Sequence, residues 1–188
     1  MTIAQGPRIV AGLWRGRRLQ APDGQETRPT NVRARQAVFD ILAHTPWCEL
    51  RGAKLLDVFA GTGAYGLEAL SRGAGQAVFF EQSGAALRAL RANIAACGAE
   101  ARARVQPGDV RSCPPGTPHD LVFLDPPYGQ NLVPQALSAL AARGWLAEGA
   151  VIVAEFGPGD DMATPALLAA RSHGKAQVKI WRFTASGP

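Results

Sequence analysis

The stretch LLDVFAGTGAYGLEAL, residues 55–70, limits the possible folds more than any other part of the chain. An apolar run, a turn with glycines at 61, 63 and 66, and then an alanine- and leucine-rich segment read as strand, tight turn and helix. Such a unit buries its apolar surface only within a larger sheet, and the chain from Lys54 onward supplies one. Short apolar runs predict strands near 54–59, 76–81, 101–106, 119–124 and 150–156, with helices near 64–72, 83–97 and 131–143 between them. This alternation predicts an α/β fold, a doubly wound and mostly parallel sheet with helices on both faces. The final stretch PALLAARSHGKAQVKIWRF holds two strand-like pieces around a His-Gly-Lys break and predicts a terminal antiparallel hairpin; a helix at 165–171 is the competing reading.

The first third differs. RIVAGLWRGRRLQAP has short β-prone pieces broken by Gly12 and Gly16, which predicts a small hairpin, and its four arginines meet no acid before Asp23. In NVRARQAVFDILAHT, Ala34, Ala37, Val38, Ile41 and Leu42 share one helical face. Arg33 and Arg35 fall off that stripe and are expected toward solvent, with Thr30 or Asn31 as N-cap. Residues 1–54 hold nine Lys/Arg against four Asp/Glu, so the net charge of +5 comes from this segment, while the remainder balances. A localised basic surplus points to a polyanion-facing surface. The expected division is a basic arm or hairpin over 1–30 and one domain over 31–188.

With 188 residues and 47% hydrophobic content the chain can bury a full core. The first residues lack the layout of a secretory signal and no apolar run approaches a membrane span, so a cytoplasmic protein is expected. Cys48, Cys97 and Cys113 are odd in number and widely spaced, without a CxxC or a histidine pair, which predicts packed, reduced thiols and no metal site.

The glycine turn matches GxGxxG, which lets a backbone approach a ligand closely and presents helix N–H groups to it. Two cofactors compete for it. A dinucleotide would place pyrophosphate on the helix N-terminus, but Asp57 stands four residues before Gly61, and a carboxylate there repels phosphate. Glu81, at the end of the next strand, is placed to accept hydrogen bonds from a ribose. The pattern Asp57-x-Phe59-x-Gly61-x-Gly63 resembles that of class I S-adenosylmethionine-dependent methyltransferases, which have a Rossmann-like fold. That resemblance implies S-adenosyl-L-methionine as cofactor, held by Asp57, Phe59, Ala60, Gly61, Gly63, Glu81, Gln82, Asp109 and Val110, with Asp57 toward the ammonium side and Asp109 toward the adenine amine.

A second segment, LVFLDPPYGQ, ends an interior strand with an acid followed by two prolines. A carboxylate at such a place is costly unless satisfied or used. The prolines have no N–H to offer it, which leaves the Asp125 carboxylate and the Pro126 carbonyl as free acceptors. Two adjacent acceptors match the two hydrogens of an exocyclic amine, and Tyr128 offers a face for a base. Hydrogen bonds to both protons favour a tetrahedral nitrogen and stabilise the charge that develops on methylation. The DPPY motif is similar to that of amino-methyltransferases acting on nucleobase amines or glutamine amides.

Over the whole chain the sequence resembles the RsmD family of bacterial methyltransferases, which modify guanine N2 in small-subunit (16S) ribosomal RNA. The match runs from RIVAGLWRGRRL and RPT through LDVFAGTGAYGLEALSRGA and GTPHDLVFLDPPY to GWLAEGAVIVAE and AQVKIWRF. It implies Asp125, Pro126 and Tyr128 as catalytic residues and Arg15, Arg17, Arg18, Arg28, Arg33 and Arg35 as contacts to RNA. Val32 and Gln36 depart from the acids usual in the family after RPT. Readings from other classes are a DNA adenine or protein glutamine N-methyltransferase, a dinucleotide-dependent oxidoreductase, and a non-catalytic RNA-binding protein.

Overall fold

The computed structural model describes residues 5–22, 29–164, 166–174 and 176–185. Two short strands, β1 (Gln5–Arg8) and β2 (Arg18–Gln20), form an antiparallel ribbon. Helix α1 (Pro29–Ala43) leads into alternating strands and helices: β3 (Lys54–Val58), α2 (Ala64–Ser71), β4 (Gln76–Glu81), α3 (Gly84–Cys97), β5 (Ala103–Pro107), β6 (His119–Leu124), α4 (Leu132–Ala142) and β7 (Leu146–Phe156). The chain ends in β8 (Leu167–His173) and β9 (Ala176–Arg182). All seven of these later strands join one sheet in the order β5-β4-β3-β6-β7-β9-β8. Strands β3 to β7 are parallel, and β9 runs antiparallel between β7 and β8. The terminal hairpin expected from the sequence is therefore present, and its first arm is a strand rather than a helix.

Strand alternation sorts the core into two layers. Leu55, Phe79, Leu121, Phe123 and Val153 pack with Val38, Phe39 and Leu42 of α1, Leu67 and Leu70 of α2, and Leu90 and Ile94 of α3. Leu56, Val58, Phe80, Val122, Leu124 and Ile152 pack on the opposite face against Val133, Leu137 and Leu140 of α4 and Trp145. Each fully buried Leu or Phe contributes about 1.5–3 kcal/mol from removal of apolar surface from water. No helix among the described residues is long and apolar enough to cross a membrane. Cys97 and Cys113 are buried and Cys48 is half-buried.

The basic ribbon is docked, not free-standing. Ile9, Trp14 and Leu19 belong to the first core layer. The buried Glu68 of α2 accepts the N–H groups of Val10 (2.7 Å) and Ala11 (3.0 Å) and pairs with Arg72. Ser71 donates to the Ala11 carbonyl at 2.6 Å and accepts the Trp14 N–H at 2.9 Å. Asn93 of α3 exchanges two hydrogen bonds with the Gln20 backbone and donates a third to the Thr62 carbonyl.

Two expectations about α1 need correction. The helix begins at Pro29, so Thr30 and Asn31 lie inside it rather than at its N-cap; proline suits the first helical position because the N–H it lacks has no partner there. The buried face is also rotated from the expected stripe. Ala37 and Ile41 are only half-buried, whereas Phe39 is fully buried and Arg35 is 3% exposed. Arg35, expected toward solvent, points inward with Phe39 four residues further on.

Candidate active site

The register of the sheet builds a cleft at the C-terminal strand ends. Val58 pairs with both Phe80 and Leu124, so the residues that follow, Phe59, Glu81 and Asp125, emerge at one level. Leu124 also pairs with Ala154, which sets Glu155 beside Asp125 on the next strand. The cleft has a volume of about 490 Å³, within the range for small-molecule sites. Asp57, Phe59, Ala60, Gly61, Glu81, Gln82, Asp109, Val110, Asp125 and Pro126 all line it. Pro7 of β1 and Ala21, just after β2, add part of its wall, as do Tyr65 and Arg35.

The glycine turn is shaped by contacts on both sides. Gly61 and Gly63 have φ of 55° and 79°, and Phe59 takes a φ of 62°, a left-handed conformation that is costly for a bulky residue and gathers at ligand sites. Glu81 locks the turn: its Oε2 accepts the Gly61 N–H at 2.8 Å, and its Oε1 accepts the N–H groups of Gln82 and Ser83. Gly63 serves as N-cap of α2 beneath Leu90 and does not line the cleft. At Gly66 a Cβ would come 2.3 Å from the Phe79 ring, so the missing side chain lets α2 settle close to the sheet. That approach brings the Gly66 N–H to the Asp57 carboxylate at 2.8 Å.

The acids differ in environment. Burial pushes the Asp57 carboxyl up to about 8 against the pull of the Gly66 N–H; Asp125 and Glu81 push it further up and Arg35 opposes them. Asp125 is pushed up to about 7, first by burial and then by the Glu155 carboxylate, with Arg35 again opposing. Asp109 is half-buried and is held low by Arg111, which bonds it through both guanidinium and backbone. Among the described residues no donor reaches the Asp125 side chain or the Pro126 carbonyl, although the Asp125 N–H lies 3.5 Å from the Val58 carbonyl. Both residues line the cleft, with these acceptors free of donors from the described residues.

Tyr128 lies beyond the cleft lining. Its ring packs over Gly157, where a Cβ would come 2.2 Å from Cγ, and its hydroxyl donates to Glu155. The residue is 44% exposed, which leaves surface available at the cleft rim. Asp160 pins this rim by accepting the N–H groups of Gly129, Asn131 and Gly157. Of the arginines, Arg15, Arg17, Arg18 and Arg33 are on the surface, and Arg28 lies outside the described residues. Arg35, expected to meet RNA at the surface, is buried in the cleft wall. Sequence reasoning also missed Tyr65, stacked on Phe123 with ring centroids 5.0 Å apart, and Glu155. The signal for Glu155 was an acid inside an otherwise apolar strand, as at Asp57.

A mostly parallel sheet in this order, with an acid-lined crevice over its glycine turn and a strand ending in DPPY, defines a class I methyltransferase. A family model described as "Conserved hypothetical protein 95" matches residues 7–182. The chain is 42% identical over 150 residues to "Ribosomal RNA small subunit methyltransferase D" of Escherichia coli strain K12, covering 79% of this chain and 73% of that protein. The solved Escherichia coli chain yhhF superposes with a TM-score of 0.83 at 37% identity, covering 95% of this chain and 98% of that one. A Salinibacter ruber RNA methyltransferase solved with S-adenosyl-L-homocysteine shares the fold at 17% identity, with a TM-score of 0.65 over 87% of this chain and 97% of that one. The chain belongs to the family of that first model, the RsmD family of methyltransferases.

Proposed function

We propose that this protein transfers a methyl group from S-adenosyl-L-methionine to the exocyclic N2 amine of a guanine in 16S ribosomal RNA, in the cytoplasm. The observation that carries the reading is that the Asp125 carboxylate and the Pro126 carbonyl, acceptors with no donor among the described residues, belong to residues that line an acid-rich cleft. Family membership and the name of the Escherichia coli relative support ribosomal RNA as substrate.

The donor set fits the cofactor. Glu81, immobilised by three backbone N–H groups, keeps one lone pair, on Oε2, for a ribose hydroxyl. Asp109 is oriented by Arg111 toward an adenine amine, with Val110 beside the base. Asp57 faces the ammonium side, and the absence of side chains at the glycine turn permits close approach. When bound, the cofactor supplies an electrophilic methyl group on a sulfonium, which these acids favour over an anionic ligand.

Asp125 and the Pro126 carbonyl accept the two amine protons and hold the nitrogen lone pair toward the methyl, so alignment and electrostatic stabilisation share the work. A carboxyl near 7 is also suited to receiving the proton released after transfer. Tyr128 offers its exposed surface to a base drawn out of the RNA stack. Arg15, Arg17, Arg18, Arg28 and Arg33 supply positive charge for the RNA backbone.

Incubation with labelled S-adenosylmethionine and small ribosomal subunits, duplex DNA or total protein tests the reading. Label recovered as N2-methylguanosine from small-subunit RNA is expected. Label on adenine, on DNA or on glutamine, or no transfer to any of them, contradicts it.

A further inference from the structure

We propose that Arg35 binds the carboxylate of the cofactor's amino-acid end; this rests on S-adenosylmethionine being the ligand of the cleft. The described lining residues include five acids, Asp57, Glu81, Asp109, Asp125 and Glu155, and one cation, Arg35. Acids serve a ribose, an adenine amine, an ammonium and a sulfonium, but they repel a carboxylate. A site that takes the whole zwitterionic ligand needs a donor for that group, and Arg35 is the cationic one among the described lining residues.

The side chain is held in a way that suits this role. Its Nη2 donates to the Arg8 carbonyl at 2.6 Å, which fixes the guanidinium plane against the strand of the ribbon. Its Nε is buried without a hydrogen-bond partner. The ion pairs among the described residues are Arg72 with Glu68, Arg111 with Asp109 and Lys179 with Asp161, none of which includes Arg35. A guanidinium withheld from water and left unpaired is unfavourable, and an entering anion removes that penalty.

Two other roles are open to a buried arginine. As a counter-ion for the site acids it would pair directly with one of them, yet no ion pair among the described residues joins it to Asp57 or Asp125, and Glu68, a nearby acid outside the cleft lining, is committed to Arg72 and to the ribbon N–H groups. As an RNA-phosphate contact it would need exposure, and the residue is 3% exposed. Its electrostatic neighbours Asp57, Tyr65 and Asp125 lie toward the reactive end of the cleft, while Glu81 and Asp109 occupy strand ends farther along the sheet. A ligand with adenosine over β4 and β5 reaches Arg35 with its amino-acid end.

The test is calorimetric binding of S-adenosylhomocysteine and of its decarboxylated analogue, which keeps the adenosine, sulfur and amine, to the native protein, Arg35→Met and Arg35→Lys. The preference for the carboxylated ligand is expected to fall by about 10- to 100-fold in Arg35→Met, the range for a charge-assisted hydrogen bond. Affinity for the analogue stays within about threefold, and Arg35→Lys recovers part of the preference. Equal weakening of both ligands in Arg35→Met overturns the proposal in favour of a purely structural role. Unchanged binding of both also overturns it. If the native protein binds no S-adenosylhomocysteine, the cofactor reading itself fails; if it binds but the preference is the same in all three proteins, this proposal alone fails.

Discussion

Asp57 shows how one residue joins fold and site. Its backbone continues the central strand, its carboxylate receives the Gly66 N–H of the following helix, and the same group lines the cleft. Burial raises its folded pKa to about 8 from an ordinary value of 3.8, so its contribution to stability is fully present below about pH 4 and is lost as pH rises through about 8. The ligand-free protein should therefore lose thermal stability across that window, and Asp57→Asn should lose less. Binding runs the other way. A ligand carrying an ammonium prefers the ionised carboxylate, so affinity for S-adenosylhomocysteine should rise with pH and level off above about 8 in the native protein, with a flatter profile in Asp57→Asn. An affinity independent of pH in the native protein would separate Asp57 from the cofactor.

At the scale of elements, the β3–α2 unit depends on Gly66. An alanine methyl there meets the Phe79 ring at 2.3 Å, and the helix must move away from the sheet to accept it. Gly66→Ala should lower unfolding free energy by about 1–3 kcal/mol, the usual cost of overpacking, as read from the denaturant midpoint. Gly61→Ala meets nothing nearer than the Phe59 carbonyl at 4.0 Å and should lose only about 1–2 kcal/mol from left-handed strain. Equal stability of native protein and Gly66→Ala would show that the helix is not packed this way. The strand–turn–helix units were legible because short apolar runs and glycine turns are local signals. The facing of α1 was not, because Ala34 and Val38 belong to two overlapping stripes, and the choice between them is made by Phe39 packing on Phe123. That contact carries Arg35 inward and no local pattern reports it.

Across the whole molecule, the ends of five parallel strands bring together residues more than fifty positions apart in the chain. Asp57, Glu81, Asp109 and Asp125 were each legible as acids at strand ends, since a parallel sheet delivers those ends to one crevice. Glu68 was not recognised, because its partners are backbone N–H groups of a ribbon far away in sequence. Nor was the pairing of Glu155 with Tyr128, which depends on β6 and β7 being neighbours. The central claim is that the Asp125 carboxylate, with the Pro126 carbonyl, holds the amine that receives the methyl. Its most direct measurement is the single-turnover rate of methyl transfer to small-subunit RNA by Asp125→Ala, with S-adenosylhomocysteine affinity determined on the same preparation. The rate should fall by about 100-fold or more, the scale for removing a preorganised electrostatic group, while affinity stays within about threefold. A native rate in that variant, with cofactor affinity intact, would contradict the account.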